Sequence, residues 1–198
     1  ALASELIDMA NLQDKTRTFL QNSSITIHVL EPTAGDGKLI GPIIDNAKNI
    51  DYNIDMVEID PNNRRHLQYL ADAAPNIVNL LPHPNFLTFA TSKRYDYVFM
   101  NPPFHLQKHL NKLLLRDVYD TDFVMRAHAL LKVGGTLLAI TGTRWMTDDD
   151  FKDWFNLVGG THKLLKKQKF DTVRIDITIL KIVKEDDIHH HLLSTITD

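Results

Sequence analysis

The chain reads as an α/β domain built on a mostly parallel sheet, and three observations predict it. Short β-branched or aromatic runs, such as 25–30 and 95–100, alternate with helical stretches, the pattern of strands joined by crossover helices. The first of these runs leads into two closely spaced glycines, Gly35 and Gly37, and then a helix. Such a turn lets backbone approach a ligand closely. The residues with distinctive chemistry all follow strands, at 31–37, 58–60, 85–87 and 101–104, where ligands sit in open α/β sheets.

Length and composition set the bounds. The 198 residues suit a single domain, 1–198, with a sizeable core. Hydrophobic residues make up 43% and charged residues 24%, an ordinary balance for a soluble protein. No apolar run approaches the roughly 20 residues of a membrane span, and no signal-peptide pattern opens the chain. A soluble, cytoplasmic protein without a membrane partner is expected. The absence of cysteine excludes disulfides and thiolate metal sites. A net charge of −3 gives no global attraction to nucleic acid, so such contact must come from a local patch. The chain starts at Ala1 rather than Met, which reads as an excised piece of something longer.

The elements follow in order. Leu2, Leu6, Met9, Leu12 and Phe19 mark one helical face within 1–22, and Asn22-Ser23-Ser24 ends it. Residues 25–30 are the first strand. A helix is expected over 38–48, with Pro42 kinking or delaying it. Residues 55–58 end the second strand, Pro61 opens the helix that covers 64–73, and 77–80 form a third strand. After a proline-rich loop, 95–100 is the fourth strand. Leu106, Leu110, Leu113, Leu114 and Val118 suggest an amphipathic helix. A helix over 122–131 is expected to stop at Gly134-Gly135, followed by a strand over 136–141 and a helix over 148–158. Two strands, 162–169 and 172–183, are expected to pair antiparallel at the sheet edge, with 25–183 as the core and 184–198 as a polar tail.

Asn101-Pro102-Pro103-Phe104 is the most specific stretch. Neither proline has an N–H to continue a ladder, so the fourth strand ends in a stiff corner. That corner offers an amide side chain, backbone carbonyls and an aromatic ring, suited to a planar group carrying an NH₂. The glycine turn is acid-x-x-x-Gly-x-Gly, neither the three-glycine dinucleotide fingerprint nor a Gly-Lys-Ser/Thr phosphate loop. Glu31 would repel a pyrophosphate and receive a cation. Glu58 follows the turn by roughly 20 residues, the offset at which an acid takes ribose hydroxyls. Ile59 suits an adenine face, and Asn85 an adenine edge with Phe86 beside it. The plainer readings are a tight turn for the glycines and a helix cap for Glu58 or Asp60.

Glu31 to Gly37, Val57 to Pro61 and Asn101 to Phe104 resemble three motifs of the class I S-adenosylmethionine-dependent methyltransferases. Within that class they resemble the adenine-specific DNA amino-methyltransferases with an Asn-Pro-Pro-Phe motif. The resemblance covers about 25–183 and implies a Rossmann-like sheet of seven mostly parallel strands, helices on both faces and an antiparallel edge strand. It implies S-adenosylmethionine as cofactor, held by Glu31, Pro32, Thr33, Gly35, Gly37, Glu58, Ile59, Asn85, Phe86 and Asn101. One departure is Asn85, where the family usually carries an Asp for the adenine amino group; an amide oxygen can still accept that bond. The catalytic group implied is Asn101, Pro102, Pro103 and Phe104. Asn101 and the Pro102 carbonyl accept the two N–H bonds of an adenine amine, and Phe104 stacks on the base. The base must be flipped out or single-stranded to be reached.

On the substrate side, Arg144, Lys166 and Lys167 are the candidates for phosphate, with Phe104 for the base and a solvated lysine face as the plainer reading. No metal is expected. His189-His190-His191 lies in a polar tail, and His105 reads as a loop residue. Arg64 and Arg65 read as solvated. DNA is the first expected partner, with RNA carrying an adenine or guanine amine as the alternative, and a protein glutamine amide after that. A non-catalytic nucleic-acid scaffold is the reading from another class. The family's target-recognition domain has no counterpart in these residues, so a separate specificity domain or subunit is expected.

Overall fold

A computed structural model describes residues 2–10, 26–45, 51–107, 116–170 and 173–185. In chain order the elements are α1 (Leu2–Ala10), β1 (Thr26–Glu31), α2 (Ile40–Asp45), β2 (Asp51–Met56), α3 (Pro61–Ala73), β3 (Val78–Leu80), β4 (Tyr95–Met100), β5 (His105–Leu106) and β6 (Val118–Tyr119). Then come α4 (Asp120–Ala129), β7 (Leu131–Thr141), a 3-10 turn (Arg144–Thr147), α5 (Asp149–Leu157), β8 (Thr161–Phe170) and β9 (Val173–Val183).

Seven strands form one sheet in the order β3-β2-β1-β4-β7-β9-β8. β3, β2, β1, β4 and β7 are parallel neighbours, and β9 runs antiparallel to both β7 and β8. The antiparallel pair expected at the edge is present, its reversed strand being the inner member. The chain steps outward from β1 to β3, then returns past β1 to lay down β4. Strand order therefore reverses between β1 and β4, where a crevice opens at the carboxyl ends.

Two apolar layers cover the sheet. On one face Leu6 and Ile7 of α1, Ile43 of α2 and Leu67 of α3 pack on Val29 and Ile54. On the other, Val124 and Ala127 of α4 and Phe151 and Phe155 of α5 pack on Leu30, Val98 and Leu137. Leu30, Ile54 and Phe99 are fully buried, each burial being worth about 1.5–3 kcal/mol. Helix starts follow capping chemistry. Asp60 accepts from the Asn62 and Asn63 amides at 2.8 and 3.0 Å, with Pro61 in the first turn. Pro42 sits in the first turn of α2, which begins later than expected because a proline is tolerated there and not deeper.

The expected helix through 105–118 is not what the structure has at its ends. His105 pairs with Tyr119 and Leu106 with Val118, making a separate two-stranded antiparallel ribbon. Helix α4 also ends before the glycines, at Ala129, and β7 begins at Leu131. Gly134 and Gly135 lie inside that strand, between the Tyr95↔Leu131 and Tyr97↔Thr136 pairs where the register shifts. A Cβ on Gly135 would meet the Lys132 and Tyr95 carbonyl oxygens at 2.8 and 2.9 Å, so the bulge requires glycine. The helical expectations over 11–22, 46–48 and 108–115, and the tail beyond Glu185, lie outside the described residues. No helix among the described residues is long and apolar enough to cross a membrane.

Candidate functional site

The strand tips converge on one cleft of about 700 Å³, within the size range of small-molecule sites. Pro32, Thr33 and Gly35 after β1, Glu58 and Ile59 after β2, Asn85 and Phe86 in the loop after β3, and Asn101 and Pro103 after β4 all line it. Residues from four separate stretches of sequence thus face one space.

The glycine turn is held open by a carboxylate. Gly35 donates its N–H to Glu58 Oε2 at 2.6 Å, and Asp60 donates to Oε1 at 2.7 Å. Gly35 and Gly37 adopt φ of 56° and 79°, a region that favours glycine. A Cβ on Gly37 would meet Leu70 and Leu67 side chains at 3.0 and 3.1 Å. Gly37 is therefore a packing position of α3 against the turn rather than a lining residue. Arg64, expected to be solvated, donates to the Glu58 and Leu81 carbonyls, each at 3.0 Å, and ties the second and third strand tips together.

Glu31 lies behind the turn, 1% exposed, and its Oε2 is buried with no hydrogen-bond partner. Burial pushes its carboxyl well above the usual range, and the nearby Asp36 and Glu58 carboxylates add to this. Thr33 Oγ1 is likewise buried without a partner. Two orphaned polar atoms under an acidic glycine turn fit a ligand that carries a cationic group.

The opposite wall is built by α4 and the ribbon. Leu106, Val118 and Phe123 give it an apolar surface, and Arg116, Asp122 and Arg126 a polar one. Burial favours a neutral Asp122, but the Arg116 guanidinium and the Tyr119 N–H outweigh it and hold the carboxyl below its usual value. Arg126 donates Nε to the Phe86 carbonyl at 2.7 Å and Nη2 to the Phe89 carbonyl. Phe86 stacks on Phe123 of the same helix with 6.3 Å between centroids. The loop carrying Asn85 is clamped to α4 in this way. Asn85 Oδ1 accepts from the Leu87 N–H at 3.0 Å, which leaves the oxygen's second lone pair for a ligand. Nothing in the sequence around Arg126 marks this clamp, because its acceptors lie 40 and 37 residues away.

At the end of β4, Asn101 and Pro103 are exposed and Pro102 is buried. Phe104 is half-buried, packs against the core and is absent from the cleft wall. A Cβ on Gly142 would lie 3.8 Å from its ring. On this side Pro103, Leu106 and Val118 give the cleft wall its apolar surface. The Phe104 carbonyl accepts from the Asp120 N–H at 3.3 Å, and Asp120 Oδ2 accepts from the Gly142 N–H at 2.7 Å. These bonds fix the motif to the start of α4 and the end of β7. Arg144 lies 3.6 Å over the Tyr119 ring and pairs with Asp148 at 3.1 Å. Lys166 and Lys167 are exposed on β8. None of these three lines the cleft.

Three comparisons bear on this arrangement. No curated protein matches the sequence. Among solved structures, the fold resembles a protein from Listeria monocytogenes assigned to the class I S-adenosylmethionine-dependent methyltransferases. The two share 18% identity and a TM-score of 0.69, over 93% of this chain and 60% of that one. It also resembles TrmN from Thermus thermophilus, at 16% identity and a TM-score of 0.58, over 92% and 48%. A third is the Thermus thermophilus 16S rRNA N2 methyltransferase RsmC in complex with AdoMet and guanosine, at 22% and 0.53, over 80% and 37%. The chain spans about 60% or less of these three proteins' lengths. The family described as methyltransferase small domain matches residues 11–174, most of the sequence, and the chain belongs to that family.

Proposed function

We propose that this chain transfers a methyl group from S-adenosylmethionine to the exocyclic amino group of a nucleobase, with adenine in DNA as the first substrate. The observation that carries this reading is the shared cleft: the glycine turn, Glu58 and Asn101 line one space. When bound, S-adenosylmethionine supplies a methyl on a positively charged sulfur, an electrophile that needs no metal.

The residues divide the work. Glu31 and Thr33 offer buried acceptors to the cationic end. Glu58 holds the turn and keeps lone pairs for ribose hydroxyls. Ile59, Asn85 and Phe86 flank the adenine. On the other side, the Asn101 side-chain oxygen and the Pro102 carbonyl accept the two N–H bonds of the target amine. An aromatic amine is a poor nucleophile because its lone pair is delocalised into the ring. Two acceptors favour a more tetrahedral nitrogen and stabilise the positive charge that grows on it. Alignment does the remaining work. Pro103, Leu106 and Val118 provide an apolar wall for the flipped base. Covalent catalysis of the cytosine type is excluded, since it needs a Cys nucleophile and there is none.

RNA is the second reading, favoured by the similarity to RsmC, a 16S rRNA N2 methyltransferase whose structure holds guanosine. Tritium transfer from labelled cofactor to separate DNA, RNA and protein pools tests both. Label in DNA recovered as N6-methyladenine supports the first, and label confined to RNA supports the second. Label in protein alone, or in none, refutes the nucleobase assignment.

A further inference from the structure

Thr141, the last residue of β7, is level with Thr178 of β9, and Thr178 is level with Leu164 of β8. Residues 165–170 and 173–177 therefore extend past the carboxyl edge of the sheet, the edge on which the cleft opens. At about 3.3 Å per residue the overhang is roughly 15–20 Å.

Three features set this hairpin apart. It is basic in an acidic chain. Between 165 and 177 the sequence carries Lys166, Lys167, Lys169 and Arg174 against Asp171 and Asp176, while the whole chain is at −3. Lys166, Lys167 and Arg174 are exposed. Second, the hairpin contains a bulge. The pairing shifts between Leu165 and Gln168, and Lys167 has φ 53°, the one non-glycine residue with positive φ among the described residues. Such a conformation costs about 1–3 kcal/mol and persists only where its surroundings fix it. Asp176 Oδ1 does so by accepting the Lys167 N–H at 2.8 Å, which leaves that carboxylate engaged with backbone. Third, the overhang has a firm base. Ile177 is fully buried, and Leu165 and Ile175 pack against the core.

The geometry points to the β8–β9 hairpin as an arm that takes the phosphate backbone of the substrate strand beside the cleft, through Lys166, Lys167 and Arg174. This rests on the reading that the substrate is a nucleic acid. β8 lies three strand positions from β4, roughly 14 Å at sheet spacing, so nucleotides flanking the target fall within its reach. Bulges re-aim side chains, and the Asp176 bond that fixes the Lys167 turn holds the two exposed lysines in place on the overhang. Phosphate contacts of this kind position a strand without reading its sequence.

The test is fluorescence anisotropy of labelled single-stranded DNA and RNA 20-mers across a salt series, on the full chain. Each single-strand phosphate contact adds about 0.7 to the slope of log K against log salt. The variant Lys166→Gln/Lys167→Gln/Arg174→Gln is expected to lower the slope by about 2 and weaken binding at low salt. Lys166→Arg/Lys167→Arg is expected to keep the wild-type slope. Binding of S-adenosylhomocysteine, unchanged in all variants, checks that each is folded. Wild-type binding with an unaltered slope in the triple variant overturns the arm and leaves the nucleic-acid reading standing. Failure of the wild type to bind either strand overturns both.

Discussion

Replacing Glu58 by glutamine tests how the cofactor side of the cleft is built. Both carboxylate oxygens accept backbone N–H bonds, from Gly35 at 2.6 Å and Asp60 at 2.7 Å, and the residue is 8% exposed. Glutamine keeps the shape but has one acceptor oxygen and one NH₂. Whichever way the amide turns, one of the two backbone donors faces another donor. A hydrogen bond to a charged group is worth about 1.5–3 kcal/mol. If that loss falls on the ligand-binding arrangement of the turn, the dissociation constant rises roughly ten- to a hundredfold. Titration calorimetry with S-adenosylhomocysteine reads this directly, and a thermal melt without ligand reads the share that falls on stability. Glu58→Ala, which loses both acceptors, is expected to be weaker still. Binding by Glu58→Gln within twofold of wild type, with an unchanged melt, refutes the reasoning.

Two further outcomes follow from the same geometry. Glu31 holds its proton more tightly folded than unfolded, because burial and then Asp36 and Glu58 disfavour its charge. Free-protein stability therefore falls as pH rises from the ordinary value of 4.5 through the raised one. A cationic ligand beside Glu31 favours its carboxylate, so binding releases a proton and tightens with pH over that window. Calorimetry in buffers of different ionisation enthalpy measures the released proton, and Glu31→Gln is expected to abolish it. Asp120, also raised by burial and opposed by the Gly142 and Thr121 N–H groups, adds to the stability slope in the same direction and leaves the ligand effect to Glu31. With Asn85 and Phe86 at the adenine, as proposed, Arg126→Met is expected to weaken adenosine and S-adenosylhomocysteine by the same five- to thirtyfold, about 1–2 kcal/mol. Loss for one ligand without the other contradicts that placement.

The strand tips were legible because their chemistry is local. A β-branched run ending in glycines, an acid or Pro-Pro states both where the strand stops and what it presents. The ribbon was not legible. Two-residue strands have no periodicity, and the pairing of His105 with Tyr119 is a long-range event, so leucine spacing suggested a helix. The end of α4 is hidden in the sequence for a related reason. Glycines usually stop helices, but Gly135 is required by backbone crowding inside β7. Arg64 and Arg126 look like ordinary surface cations in a helical sequence, and only the folded chain brings the carbonyls they hold within reach. Gly37 shows the converse: its pattern suggested a ligand, and the space it leaves is filled by Leu67 and Leu70. The tips of β1, β2 and β4 were read from motifs, and the wall of α4 and the ribbon came from packing.

Turnover of Asn101→Ala at saturating cofactor is the most direct measurement of whether an amide clasp activates the target amine. Methyl transfer to the nucleic-acid substrate is expected to drop at least about a hundredfold, the scale seen when one preorganised transition-state partner is removed. S-adenosylhomocysteine should bind within a few-fold of wild type. Transfer by the variant at the wild-type rate would contradict the assignment of Asn101, and with it the claim that this cleft joins a methyl donor to an exocyclic amine.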